Sequence, residues 1–161
     1  LSGAPASSLR FRAAREQDLA RLVELERAAH LHPWTEAQLR SELGHAYATV
    51  LCAEEGGEGG SAPIVGFLVY WLIHDELHIL DVVTAPEARR RGVARSLMAE
   101  GVEAARRSGA SRALLEVRRS NAPAIALYRA LGFLHDTVRR GYYQDGEDAI
   151  LMSLALGQQL V

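Results

Sequence analysis

With 161 residues and a mass of 17.6 kDa, the chain is the size of one domain and buries enough surface, roughly 70% of its unfolded area, to fold without a disulfide or structural metal. Its single cysteine, Cys52, excludes an internal disulfide and a cysteine-rich zinc site, and fits a reducing, cytoplasmic compartment. A net charge of −2 and a pI near 6.3 speak against a general nucleic-acid binder, and no apolar run reaches the ~18 residues of a membrane span.

Leu1–Ser8 is small and polar without a basic flank, and reads as a flexible tail, not a signal peptide. One domain is expected over Leu9–Leu156, with residues 157–161 a second tail. Leu19, Leu22, Val23 and Ala29 trace the apolar face of a helix from about Glu16 to His30. A second helix starts at Thr35, where Thr35-Glu36-Ala37-Gln38 has capping-box spacing, and Gly44 ends it. Two strand-like runs follow, Thr49–Glu54 and Ile64–Ile73, joined by the glycine-rich stretch Glu55–Ser61, which reads as a flexible hairpin loop.

Leu77–Val83 is apolar enough for an interior strand. Val93, Leu97, Met98, Gly101, Val102 and Ala105 then form one stripe of a helix ending near Gly109. Arg112–Val117 is nearly all apolar, as expected of a strand covered on both faces. Asn121–Leu131 reads as a helix with Pro123 allowed in its first turn, and Phe133–Arg140 and Asp148–Leu156 as two closing strands. The order β-α-α-β-β-β-α-β-α-β-β predicts an α/β fold with a mixed sheet and helices on both faces.

Chemistry concentrates in Val82–Leu97, where a strand runs into a turn and the turn opens a helix through Arg89-x-x-Gly92-x-Ala94. A helix start carries free N–H groups and the positive end of the macrodipole, so an anion can dock there. Gly92 and Ala94 leave room for phosphate oxygens, while Arg89, Arg90, Arg91 and Arg95 add charge and fork-shaped donors. A solvated arginine patch is the plainer reading; placement between an apolar strand and an amphipathic helix favours a phosphate-bearing ligand. Neither the dinucleotide Gly-x-Gly-x-x-Gly pattern nor the Lys-Ser/Thr phosphate loop is present here.

This segment resembles the acetyl-CoA pyrophosphate loop of the GNAT N-acetyltransferases. The RimI branch is resembled more widely, through His32-Pro33-Trp34-Thr35, Leu115-Glu116-Val117-Arg118-x-Ser120-Asn121 and Ala124-Ile125-Ala126-Leu127-Tyr128-x-x-Leu131-Gly132-Phe133. Arg139-Arg140-x-Tyr142-Tyr143 and Glu147-Asp148-Ala149-Ile150 extend the likeness over about Leu9–Leu156. It implies a GNAT fold in which the fourth and fifth strands splay apart to admit the pantetheine arm of acetyl-CoA. It further implies that Val82, Val83 and Thr84 bond that arm through their backbone, that Arg89, Arg90, Arg91, Gly92, Val93, Ala94 and Arg95 cradle the pyrophosphate, and that Asn121 touches the cofactor. Val82 and Val83 also suit a core, and Asn121 a helix cap.

Glu116 interrupts an apolar strand, so either a cation such as Arg118 or Arg119 pairs with it or it faces a cleft. The resemblance makes Glu116 the general base for the acceptor amine, which at a pKa near 8 is mostly protonated at neutral pH. Asp81 is the rival base, at a position where RimI enzymes usually carry Asn. Tyr128 lies seven residues after Asn121 on nearly the same helical face. Packing explains an aromatic there; the resemblance makes it the acid that protonates the departing thiolate. His78 and Cys52 read as structural, which favours direct transfer in a ternary complex over an acetyl-cysteine route.

Trp34, Tyr142 and Tyr143 are candidate walls of the acceptor site, and Asp145, Glu147 and Asp148 read as solvated turn acids. Gly141 stands where the family usually has Asn. The resemblance implies acetyl transfer to the N-terminal alanine of a ribosomal protein, by a cytoplasmic monomer or weak dimer with no metal, no membrane and no direct nucleic-acid contact. Two alternatives remain at this level: acetylation of another protein amine or a small amine, and a non-catalytic acyl-CoA or phosphate-binding module.

Overall fold

The structure is a computed structural model that describes residues 8–56 and 62–157. Residues 57–61 of the expected hairpin loop, and residues 1–7 and 158–161 of the two expected tails, lie outside the described residues. The elements are β1 (Leu9–Ala13), α1 (Leu19–Ala29), α2 (Glu36–Gly44), β2 (Ala48–Glu55), β3 (Ile64–Ile73), β4 (Glu76–Thr84), α3 (Val93–Arg107), β5 (Arg112–Arg118), α4 (Ala122–Ala130), β6 (Leu134–Arg139) and β7 (Ala149–Ala155). The strands form one sheet in the order β1-β2-β3-β4-β5-β7-β6. It is mixed: β4 and β5 are parallel, whereas β1–β2, β5–β7 and β6–β7 are antiparallel. Among the described residues no helix is long and apolar enough to cross a membrane.

The chain divides into two compact units, and β3, β4 and α3 each contribute to both. The first comprises Leu1–Val69 and Val82–Leu97. Its apolar interior is drawn from Leu22, Leu25, Leu39, Cys52, Phe67 and Leu68, all essentially inaccessible. Each such side chain contributes about 1.5–3 kcal/mol when removed from water. Leaving the chain order, Asp18 ends a short 3-10 turn (Glu16–Asp18) and is buried. Arg12 grips it with two hydrogen bonds of 2.7 and 3.0 Å and also pairs with Glu54. The Arg12 guanidinium holds the Asp18 carboxyl below the usual carboxylate range. At α2 the expected capping box is formed, with Gln38 N–H donating to Thr35 Oγ1 at 3.2 Å and Thr35 N–H to Gln38 Oε1 at 2.8 Å.

Within this unit β3 carries Gly66, which lies against the end of β4 and the start of α3. A β-carbon on Gly66 would come 2.7 Å from the Val83 carbonyl oxygen and 2.9 Å from Val93 Cγ1. Alongside it, Ala85 N–H donates to Val65 O at 2.7 Å. Strand β3 therefore fixes where β4 ends and where the arginine turn begins.

The second unit comprises Tyr70–Asp81 and Met98–Val161. In it β4 and β5 pair from Glu76↔Arg112 to Ile79↔Leu115, and the register stops there although β5 continues to Arg118. Ser111 ties the start of β5 to Asp75, by N–H to O at 2.7 Å and Oγ to Oδ2 at 2.7 Å. Helix α3 closes at Gly109, whose φ of +83° is the left-handed conformation that glycine adopts freely. The expectation that β5 is covered on both faces is corrected. Ala113, Leu115 and Val117 are buried, whereas Arg112 and Glu116 are exposed and Leu114 and Arg118 half-buried. The chain alternates because only one face of this strand lies in the interior.

Candidate active site

The arginine turn is built by backbone conformation before any side chain acts. Pro86–Ala88 forms a 3-10 turn, Arg89 is extended, Arg90 has φ +64° and Gly92 φ +78°. Ser96 N–H then makes the first helical bond, to Gly92 O at 2.9 Å. The N–H groups just before it have no partner along the helix, so they and the macrodipole form a positive concavity. A β-carbon on Gly92 would meet nothing within 4 Å, so the approach to this backbone is open. Open donors, a helix start and the exposed Arg89, Arg90 and Arg95 fit a pyrophosphate. Among the arginines of the turn, Arg91 is paired within its own unit. Its Nη1 donates to Glu55 Oε1 at 2.8 Å and its Nη2 to Glu87 O at 3.3 Å. Val82 and Thr84 are half-buried and Val83 is buried.

Glu116 has the cation its place in an apolar strand calls for, and that cation is Arg139 of β6 rather than Arg118 or Arg119, with Nη1 3.1 Å from Oε1; the glutamate side chain is 31% exposed. Sheet register explains the reach. Ala149 of β7 stands opposite both Arg118 and Arg139, and Leu151 opposite both Glu116 and Thr137, so these side chains share one face. The small Ala149 lets the arginine extend across β7. Tyr142 donates its hydroxyl to Glu116, which pushes the phenol above its ordinary pKa. Glu116 is thus an accessible carboxylate held by a guanidinium and a phenol, and solvent can still reach it.

Tyr128 is 7% exposed, on α4, with its ring 6.0 Å from that of Phe133. Burial, then the charge of Asp81, drives its phenol well above the ordinary range. The side chain is a core residue by packing, and it keeps its proton, as a donor must. Asn121 caps α4, accepting from Ala124 N–H at 3.2 Å. His78 is occupied by Glu76 at 2.9 Å, in keeping with a structural role. Cys52 is fully buried with its thiol pushed up to about 12 by desolvation, so it is a poor nucleophile.

Trp34 is half-buried, and its N–H donates to Glu26 Oε1 at 2.9 Å, so a buried carboxylate of α1 fixes the turn that carries it. Tyr142 and Tyr143 meet edge to face at 5.1 Å between centroids. The acids expected to be merely solvated hold this loop instead. Arg118 bonds Asp145 at 2.8 Å and Glu147 at 3.3 Å and covers the Tyr143 ring at 4.0 Å. Asp148 takes Gly141 N–H at 2.9 Å and Arg119 at 3.2 Å. Gly141 has φ +62°, a conformation glycine and asparagine tolerate best, which accounts for the exchange at this position.

Sequence reasoning gave Arg139 no role beyond its place in the family-like motif, and missed Glu26, Glu55 and Gly66. Only Gly66 carried a local signal, a lone glycine inside a strand pattern, which marks close approach of another backbone. The other three act through partners on other elements.

The acetyltransferase (GNAT) family model matches residues 19–133. The chain is 34% identical over 142 residues to an Escherichia coli protein named [ribosomal protein bS18]-alanine N-acetyltransferase, covering 86% of this chain and 92% of that one. It is similar to the crystal structure of the ribosomal-protein-S18-alanine N-acetyltransferase from Escherichia coli, with a TM-score of 0.82 and 31% identity over 96% of this chain and 99% of that chain. Arabidopsis thaliana NAA60 in complex with acetyl-CoA shares the fold, with a TM-score of 0.81 at 20% identity over 92% of this chain and 98% of that chain. A mixed sheet of matching order, an arginine turn opening α3, and relatives aligned over nearly their whole length place this chain in the acetyltransferase (GNAT) family, in its RimI branch.

Proposed function

We propose that the protein transfers acetyl from acetyl-CoA to the N-terminal α-amine of an alanine-starting ribosomal protein, and that Leu9–Leu156 is a single acetyltransferase domain. The observation that carries this reading is the 34% identity over 92% of the length of a bS18-alanine N-acetyltransferase. The neighbour solved with acetyl-CoA supports the choice of donor.

Acetyl-CoA supplies an acetyl group activated as a thioester. In this reading the backbone of Val82–Thr84 bonds the pantetheine arm, the turn Arg89–Arg95 holds the pyrophosphate, and Asn121 lies toward the thioester end. Trp34, Tyr142 and Tyr143 line the acceptor site. Glu116 takes a proton from the acceptor ammonium, directly or through water. The freed nitrogen lone pair forms the C–N bond to the acetyl carbon while the C–S bond breaks with its electron pair on sulfur. Tyr128 donates a hydrogen bond to the departing sulfur, which leaves as the thiol once the second proton lost from nitrogen reaches it through water. The inert Cys52 thiol leaves direct transfer in a ternary complex as the route. No step requires a metal or a nucleic acid.

Incubation with acetyl-CoA and a mixture of ribosomal proteins, followed by mass spectrometry of N-termini, tests the proposal. Acetylation confined to an alanine N-terminus is the expected result. Preference for a lysine side chain or a polyamine overturns the acceptor assignment, and binding of CoA without any acetyl product overturns the enzymatic one.

A further inference from the structure

The arginine turn holds two kinds of arginine. Arg89, Arg90, Arg91 and Arg95 are all exposed, but Arg91 reaches back to the rest of its unit. Its guanidinium spans from Glu55, the last residue of β2, to the carbonyl oxygen of Glu87 in the 3-10 turn. Glu55 lies in a sheltered position, its side chain only 16% exposed against 47% for Arg91. Glu87 is itself held from the other side, because Arg21 of α1 bonds its Oε1 at 3.2 Å and caps Ile64 O of β3 at 2.9 and 3.1 Å. A continuous chain of charge therefore runs from α1 and β3 through Glu87 and Arg91 to the end of β2. It braces a stretch of backbone that turns left-handed at Arg90 and Gly92. A non-glycine residue such as Arg90 is strained there, and surrounding structure must hold it in place.

We infer that Arg91 is a positioning residue: its side chain tethers the pyrophosphate turn to β2 through Glu55, and the turn's backbone together with Arg89, Arg90 and Arg95 meets the phosphates. This rests on the proposed binding of acetyl-CoA at the turn and divides labour among arginines that the sequence pattern treats alike. The physical basis is preorganisation. A turn already held in its binding conformation loses less freedom when the anion arrives.

Tether and ligand differ in the sign of one result. If Arg91 were a phosphate ligand held in reserve, removing Glu55 would release it and tighten binding. If it is a tether, removing either partner loosens the turn and weakens binding, and removing both does no further harm. The probe is CoA, titrated calorimetrically into the full chain at about 0.15 M ionic strength and again at about 0.5 M, so that the salt-dependent through-space charge of Glu55 is separated from its hydrogen bond to Arg91. The variants are Arg91→Gln, Glu55→Gln and the double change, each with its unfolding midpoint.

For a solvent-accessible ion pair the expected loss is about two- to fivefold in CoA affinity for each single variant and the same for the double. Unfolding midpoints stay within a degree or two and the acceptor KM is unchanged, a pattern that general structural damage would not give. Tighter binding by Glu55→Gln, or losses that multiply in the double variant, overturns the tether. Absence of CoA binding by the unaltered protein overturns the underlying functional reading instead, so the two failures are separable.

Discussion

Gly66→Ala is the sharpest test of how the fold sets the site. The glycine has an ordinary φ, so alanine meets no backbone strain, and the whole cost lies in space. The new β-carbon would stand 2.7 Å from Val83 O, 2.9 Å from Val93 Cγ1 and 3.2 Å from Leu97 Cδ1. The first contact is with backbone and cannot be relieved by a rotamer change, so β3 must separate from the end of β4 by at least about 0.3 Å to restore the 3.0 Å that real β-carbons keep. Overpacking of this kind costs about 1–3 kcal/mol. Alanine recovers about 0.4–1 kcal/mol by restricting the unfolded chain. The net loss is about 1–2 kcal/mol, or roughly 2–8 °C in unfolding midpoint for a domain of this size. The displaced groups are the Val83 carbonyl and the first residue of α3, so CoA affinity should fall as well, by about three- to tenfold, because a few tenths of an ångström matter to short polar contacts. Thermal unfolding and CoA titration read the two effects. An unchanged midpoint would refute the packing claim, and a lowered midpoint with unchanged CoA affinity would refute the link between β3 and the anion turn.

Tyr128→Phe should lower turnover by about 10²–10⁴-fold, the span typical of a lost acid, with CoA affinity within about twofold; unaltered turnover removes Tyr128 from the mechanism. Asn121→Ala should cost about 1 kcal/mol through loss of the α4 cap, read as a fall of about 2–4 °C in midpoint, and any loss of CoA affinity beyond about twofold marks a direct contact as well. Cys52 gives a pH prediction. Its thiol is pushed from an ordinary 9.0 up to about 12 in the folded chain, so the unfolded chain releases that proton first and the contribution to stability, whole below about pH 9, is lost as pH rises toward 12. The slope is at most about 1.4 kcal/mol per pH unit. Denaturant unfolding of the unaltered chain and Cys52→Ala between pH 8 and about 10.5 measures it, and identical slopes would show that the thiol titrates normally.

The elements were legible because their signals are local. Thr35 and Gln38 name a helix start three residues apart, Gly109 a helix end, and the alternation or continuity of apolar residues the strands. The arginine turn was legible for the same reason: strand, turn and helix start are contiguous, and so are the residues that make it. What the sequence concealed is pairing between distant segments. Glu116 and Arg139 are 23 positions apart, and their meeting depends on β7 inserting between β5 and β6 with Ala149 between the arginines. The apolar neighbours of Glu116 promised burial because Leu115 and Val117 do point inward, but period-two alternation turns the glutamate outward. The turn acids Asp145, Glu147 and Asp148 look solvated in one dimension, and only the fold brings Arg118 and Arg119 to them.

In the proposed mechanism the two candidate bases, Glu116 and Asp81, have different surroundings. Asp81 lies close enough to Tyr128 that its charge raises the phenol, adding to the effect of burial. A free thiol titrates near 8.5, below a phenol so placed, and complete proton transfer from Tyr128 to a departing sulfur is uphill at equilibrium. Tyr128 is therefore suited to hydrogen-bond donation as charge develops on sulfur, the moment when a fixed donor in a dry setting stabilises most. A carboxylate beside it disfavours tyrosinate and keeps that donor intact. Glu116 sits on β5 with Arg139 and Tyr142 about it and solvent within reach. The proposed mechanism therefore takes Glu116 as the base and keeps Asp81 beside Tyr128, where its charge adds to burial in favouring the protonated phenol.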